Sequence, residues 1–139
     1  MHTILQPEGW AKPVGYANGI AATGRLVFVG GQIGWNGQSV FESDTLVEQV
    51  RQALQNVVAV LAEAGAKPEH ITSMTWYFTD KVDYLANLKG IGQVYRDVIG
   101  RNYSAMAAMQ VSALIENRAK VEIQAIAVVP VPDKTGVRP

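Results

Sequence analysis

Glu122 is the residue whose type and place most invite chemistry. It stands in KVEIQAIAVV, residues 120–129, a stretch that is otherwise almost wholly apolar. Period-two alternation puts Val121, Ile123, Ala125, Ala127 and Val129 on one face, and Glu122, Gln124, Ile126 and Val128 on the other. A carboxylate in such a strand is costly unless it has partners or moves protons. A rim position where Glu122 simply reaches water is the equal alternative. Other chemistry is thinly represented. The only histidines are His2 and His70, with no metal-ligand spacing, and they read as two surface residues. With no cysteine in the chain, thiol nucleophiles and thiolate metal sites are excluded. No Ser-His-Asp order or lysine-centred nucleophile pattern is present. GGQIGWNGQ, residues 30–38, matches neither dinucleotide nor P-loop spacing, so its glycines predict a loop where backbone approaches something closely. Trp35 at its tip suits an interface or a lid. RNYSAMAAMQVSAL, residues 101–114, has the length of a strand but only Met106, Ala107, Ala108 and Met109 at its middle.

Whatever these residues do, an α+β arrangement must hold them. At 139 residues the chain suits one domain, 1–139, with the proline-rich stretch 130–139 as an extended or mobile tail. GIAATGRLVFVG, residues 19–30, predicts two strands turning at Thr23-Gly24. A capping box of Thr45 and Glu48 opens a helix whose apolar stripe runs from Val47 to Leu61, and Gly65 ends it. ITSMTWYFT, residues 71–79, is a strand rich in β-branched and aromatic residues. A second helix spans about 82–99, with Tyr84, Leu88, Ile91, Tyr95 and Val98 on one face, weakened by Gly90 and Gly92. Strands at 106–114 and 120–129 complete a ββαβαββ order. One sheet with both helices on one face is the simplest packing, and it leaves the other face bare, to be covered by further subunits. Lys+Arg and Asp+Glu both number 12, so no net field attracts nucleic acid or an anionic membrane. The N-terminus lacks the pattern of a secretory signal and no apolar run is long enough to span a bilayer, which together predict a cytoplasmic protein.

Four stretches resemble the RidA/YjgF (Rid) family. VGYANGIAATGRLVFVGGQIG is similar to the family's G-P-Y-S-x-A and LFVSGQIP. QVRQALQNVVAVLAEAGA is similar to Q-x-x-x-x-L-x-N-x-x-x-x-L-x-x-A-G, TWYFTDKVDY to a strand ending T-D-x-x-D-F, and VEIQAIAVV to VEIEAIAV. The resemblance runs over about residues 14–129. It implies a chorismate-mutase-like fold and a homotrimer with a barrel-like core and clefts between subunits. It also implies hydrolysis of reactive enamines and imines, such as 2-aminoacrylate, without metal or organic cofactor. By the same resemblance, Glu122 contacts the hydrolytic water, Tyr16 borders the cleft, Gln124 stands behind Glu122, and backbone N–H groups near Ala107 and Ala108 act as donors.

The departures concern function. Active deaminases of the family carry P-A-R-S-x-V where this chain has Ser104, Ala105, Met106, Ala107, Ala108 and Met109. Their arginine clamps the substrate carboxylate, and the thioether of Met106 cannot. Gly30 likewise replaces a family serine. The resemblance therefore implies a hydrolase (deaminase type) of altered specificity, or else a non-catalytic trimer that binds a small metabolite. In the first reading, Met106 and Ile126 line an apolar cleft around Glu122, and either backbone N–H groups or a cation from the neighbouring subunit, such as Arg101, Arg118 or Lys12, replaces the missing anchor. A ribonuclease reading is poorly supported by zero net charge and the absence of a histidine pair.

Overall fold

The computed structural model describes residues 2–131; most of the tail, 132–139, lies outside the described residues. The fold is α+β. Strands β1 (Thr3–Leu5) and β2 (Gly19–Ala21) form a small ribbon, and β3 (Arg25–Ile33) follows. Next come helix α1 (Leu46–Glu63), strand β4 (Ile71–Phe78), helices α2 (Lys81–Ala86) and α3 (Leu88–Val98), and strands β5 (Ala105–Gln110) and β6 (Val121–Val129). The main sheet has the order β3-β6-β4-β5; β6 runs antiparallel to both neighbours, and β4 and β5 are parallel.

α1 forms where the sequence predicts it. The Thr45 hydroxyl accepts from the Glu48 N–H, at 3.4 Å, and meets one of the helix's unpaired donors. Val50, Ala53, Leu54, Val57 and Leu61 are buried, and α1 lies across β3 and β6 and alongside α3. Val121, Ile123, Ala125 and Ala127 of β6, with Met74, Trp76 and Phe78 of β4, complete this core. Among the described residues the opposite sheet face carries no helix, and there Leu26 and Phe28 are 56% and 68% exposed.

Four local expectations change. The turn at Thr23-Gly24 does not close a hairpin, because β2 pairs with β1 and β3 with β6. Gly24 (φ +152°) lies against the Val129 carbonyl, so close approach rather than a tight turn demands a glycine there. The stretch 30–33 is strand, not loop: Gly30 and Gly31 form a bulge at which the register with β6 shifts between Val29 and Gln32. The helix at 82–99 breaks at Asn87, whose amide donates to the Asp83 carbonyl and to its carboxylate at 2.8 and 2.9 Å. Finally, the two histidines meet. His2 Nε2 lies 3.0 Å from the His70 carbonyl, while His70 Nδ1 accepts from the Lys67 N–H at 2.9 Å. These contacts tie the N-terminal ribbon to the start of β4. Among the described residues no helix is long and apolar enough to cross a membrane, and no group of three or more His, Asp or Glu is placed to hold a metal.

Candidate functional site

Register decides which site residues can meet. β5 pairs with β4 so that Met106 stands beside Met74 and Ala108 beside Trp76. Met74 and Trp76 point into the helix-side core, so Met106 and Ala108 take the helix face as well. Ala107 pairs with Thr75 and takes the other face. β6 pairs Glu122 with Tyr77 and Gln124 with Thr75, which puts both polar side chains on the open face with Ala107. The Tyr77 hydroxyl lies 3.1 Å from Gln124 Oε1 and donates to it.

The residues read as one site therefore form two groups on opposite sides of a single sheet. The helix-side group lines a cleft of about 560 Å³, a size ordinary for a small-molecule site. Its floor is Trp76, Met106 and Ala108, and its rim is Val14 to Tyr16. The rim is fixed because Ala17 is buried and its N–H donates to the Ser104 carbonyl at 2.9 Å. Tyr84, Leu88 and Tyr95 supply the helical wall. Phe78 supports Tyr84 at 4.2 Å between ring centroids, and Tyr103 stacks on Tyr95 at 5.5 Å. Burial raises the hydroxyl pKa of Tyr84 and, more strongly, of Tyr95, so both rings are neutral in the ordinary range. The Tyr95 hydroxyl donates to the Asn102 carbonyl at 2.6 Å. Among the described residues the indole N–H of Trp76 is buried with no partner. Among the described residues β5 is the outer strand of the sheet, so beyond the Ala17 bridge alternate backbone N–H groups of residues 105–110 are not taken by a neighbour.

The open-face group centres on Glu122, half-buried against the bulge. The carboxylate occupies the space that a side chain at position 31 would fill. Among the described residues it makes no ion pair or side-chain hydrogen bond. Ile126 shares its face, but Met106 does not, so within one chain no cleft is lined by both. Trp35 belongs to neither group. It packs on Phe41 at 5.7 Å, with Asn56 Nδ2 donating to its carbonyl at 2.7 Å. Of the cations considered from sequence, Arg118 pairs with Asp44 at 2.9 Å and lies over the Phe41 ring, while Arg101 lines a second cleft with His2 and His70. Lys12 is exposed and lines none of the clefts described here. Sequence reasoning missed Trp76, Tyr103 and Arg96 as cleft residues, and took Tyr84 and Tyr95 only as a core stripe. Their side-by-side placement depends on the packing of α2 and α3 on β4, which spacing does not reveal.

The family described as Endoribonuclease L-PSP matches residues 10–129. The chain belongs to the RidA/YjgF family. A RutC family protein of Aquifex aeolicus is 35% identical over 92% of this chain and 99% of its own length. The human 2-iminobutanoate/2-iminopropanoate deaminase is 31% identical over 75% of this chain and 73% of its own. Among solved structures, the Rid family protein YyfB of Yersinia pestis superposes with a TM-score of 0.82 at 27% identity. That alignment covers 92% of this chain and 98% of YyfB.

Proposed function

We propose that this Rid protein hydrolyses reactive enamine or imine metabolites at clefts between subunits of a homotrimer, with a specificity altered by Met106. The observation that carries this reading is Glu122: a half-buried carboxylate that has no partner among the described residues, seated against a glycine bulge in a family that includes an imine deaminase. An imine carbon is already electrophilic, so catalysis needs a positioned water and a route for protons. Glu122 takes a proton from water as the oxygen bonds to the imine carbon and passes it to the imine nitrogen, giving a neutral carbinolamine. It then takes the carbinolamine's hydroxyl proton and delivers it to the nitrogen as the C–N bond breaks and the C=O bond forms, releasing ammonia and a carbonyl product. The second half of the cleft, with Met106 and Tyr16, comes from a neighbouring copy, which explains why the two groups sit on opposite faces. Met106 offers no charge for a small 2-imino acid, and this favours larger or more apolar substrates.

That loss of charge also favours a second reading, a trimer that binds a small metabolite without transforming it. An assay with imines generated in situ by an amino-acid oxidase or dehydratase separates the two. Glu122→Ala is expected to lower hydrolysis by about 10²–10⁴-fold. Met106→Arg is expected to raise activity on 2-aminoacrylate-derived imines. Hydrolysis indifferent to Glu122→Ala would reject the catalytic role, and absence of hydrolysis across small and large imines would leave the binding reading.

A further inference from the structure

The geometry points to Arg96 as the anchor for an acid group in the Met106 cleft, and to an aromatic 2-imino acid as the substrate class it selects. This rests on the hydrolase reading for the reaction but not for binding. Arg96 lies on α3 and lines the same cleft as Met106 and Ala108. Helical side chains lean toward the N-terminus of their helix, so its guanidinium reaches back one turn over Gly92. A Cβ built at Gly92 would lie 3.4 Å from Arg96 Nη1, which is how closely the guanidinium follows the helix surface. Gly92 therefore keeps the guanidinium low at the mouth of the cleft.

The charge is available. Among the described residues Arg96 makes no ion pair; its one side-chain hydrogen bond is a long one, 3.3 Å, donated to Gln93 Oε1. The adjacent acid, Asp97, is taken by Arg51 at 3.4 Å and by Gln93 Nε2 at 2.8 Å. A guanidinium beside an aromatic cleft with no carboxylate of its own suits a ligand that brings one, and its fork can hold that group by two hydrogen bonds. The strand arginine of the active deaminases would hold the acid on the cleft floor. Arg96 holds it at the helical wall instead and leaves the floor to Met106. The space between goes to the substrate's side chain, bounded by Trp76, Tyr84, Tyr95 and Tyr103. Flat rings stack there as Tyr95 and Tyr103 already do, and Met106 adds a sulfur–aromatic contact. A methyl or ethyl group would leave most of this volume to water.

The test uses the full chain and two readouts. Binding of phenylpyruvate, pyruvate and phenylacetone is measured by calorimetry. Hydrolysis kinetics are measured on imines formed in situ from phenylalanine and alanine. Wild type is expected to bind phenylpyruvate at least tenfold more tightly than either other probe. Arg96→Ala is expected to remove that advantage and to raise KM for the phenylalanine-derived imine more than it lowers kcat, with Arg96→Lys in between. Arg96 is exposed, so the melting temperature should not move. Pyruvate bound as well as phenylpyruvate, or phenylpyruvate bound equally by Arg96→Ala, overturns the proposal, and Glu122-dependent hydrolysis would then survive it. Arg96-dependent binding of phenylpyruvate without turnover of any imine sustains the anchor and overturns the hydrolase reading alone.

Discussion

Glu122 owes its position to a residue with no side chain. Its carboxylate fills the space over Gly31, on the bulge that lets β3 bend past β6. Gly31→Ala is therefore expected to displace Glu122 while disturbing the fold little, because Gly31 itself is exposed. The loss of imine hydrolysis should approach that of Glu122→Ala, with a change in melting temperature of a few degrees at most, read by thermal unfolding and the same assay. An unaltered rate would mean that the carboxylate has another seat from which to work. At this scale the sequence was legible where a single side chain sits in a patterned strand, as Glu122 and Met106 do. It was silent on Arg96, because one arginine on an exposed helix position looks like any solvated charge. Only the aromatic wall beside it gives that charge a purpose.

Helix α2 shows how an element serves the cleft. It is six residues long, too short to persist alone, and it depends on its cap. The Asp80 carboxylate accepts from the N–H groups of Val82 and Asp83 at 2.9 and 3.2 Å. Tyr84, one turn on, is the ring that α2 adds to the cleft wall. Asp80→Ala should cost about 1 kcal/mol of stability in denaturant unfolding, and it should weaken phenylpyruvate binding through Tyr84 without touching Glu122 chemistry. A full stability loss with unchanged binding would show that Tyr84 holds its place through Phe78 alone. The α1 stripe, its Thr45 cap and the β4 and β6 strands were readable because periodicity and capping are local. The break at Asn87 was not, since the glycines nearby drew the eye while a side-chain amide made the turn. The β1–β2 ribbon was also hidden: a three-residue strand is chosen by its partner, and Thr23-Gly24 signals a turn without saying which strands it joins.

At the scale of the whole molecule, the uncovered face of the sheet is the dominant feature. Leu26 and Phe28 stand on it beside Ile126, and apolar side chains gathered there favour burial over contact with water. On the trimeric hydrolase reading proposed above, Phe28→Asp is expected to shift the protein toward monomer in analytical ultracentrifugation, and to abolish hydrolysis although Glu122, Met106 and Arg96 are all retained. A monomer as active as wild type would place a complete site within one chain. The sorting of Glu122 and Met106 onto opposite faces carries a consequence for inheritance. On the reading proposed above, each chain donates half of one centre and half of the next. A defect confined to the Glu122 side and another confined to the Arg96 side are then recessive to each other: chains carrying one defect each, assembled together, rebuild roughly a quarter of the centres intact. Two defects on the same side have no such remedy.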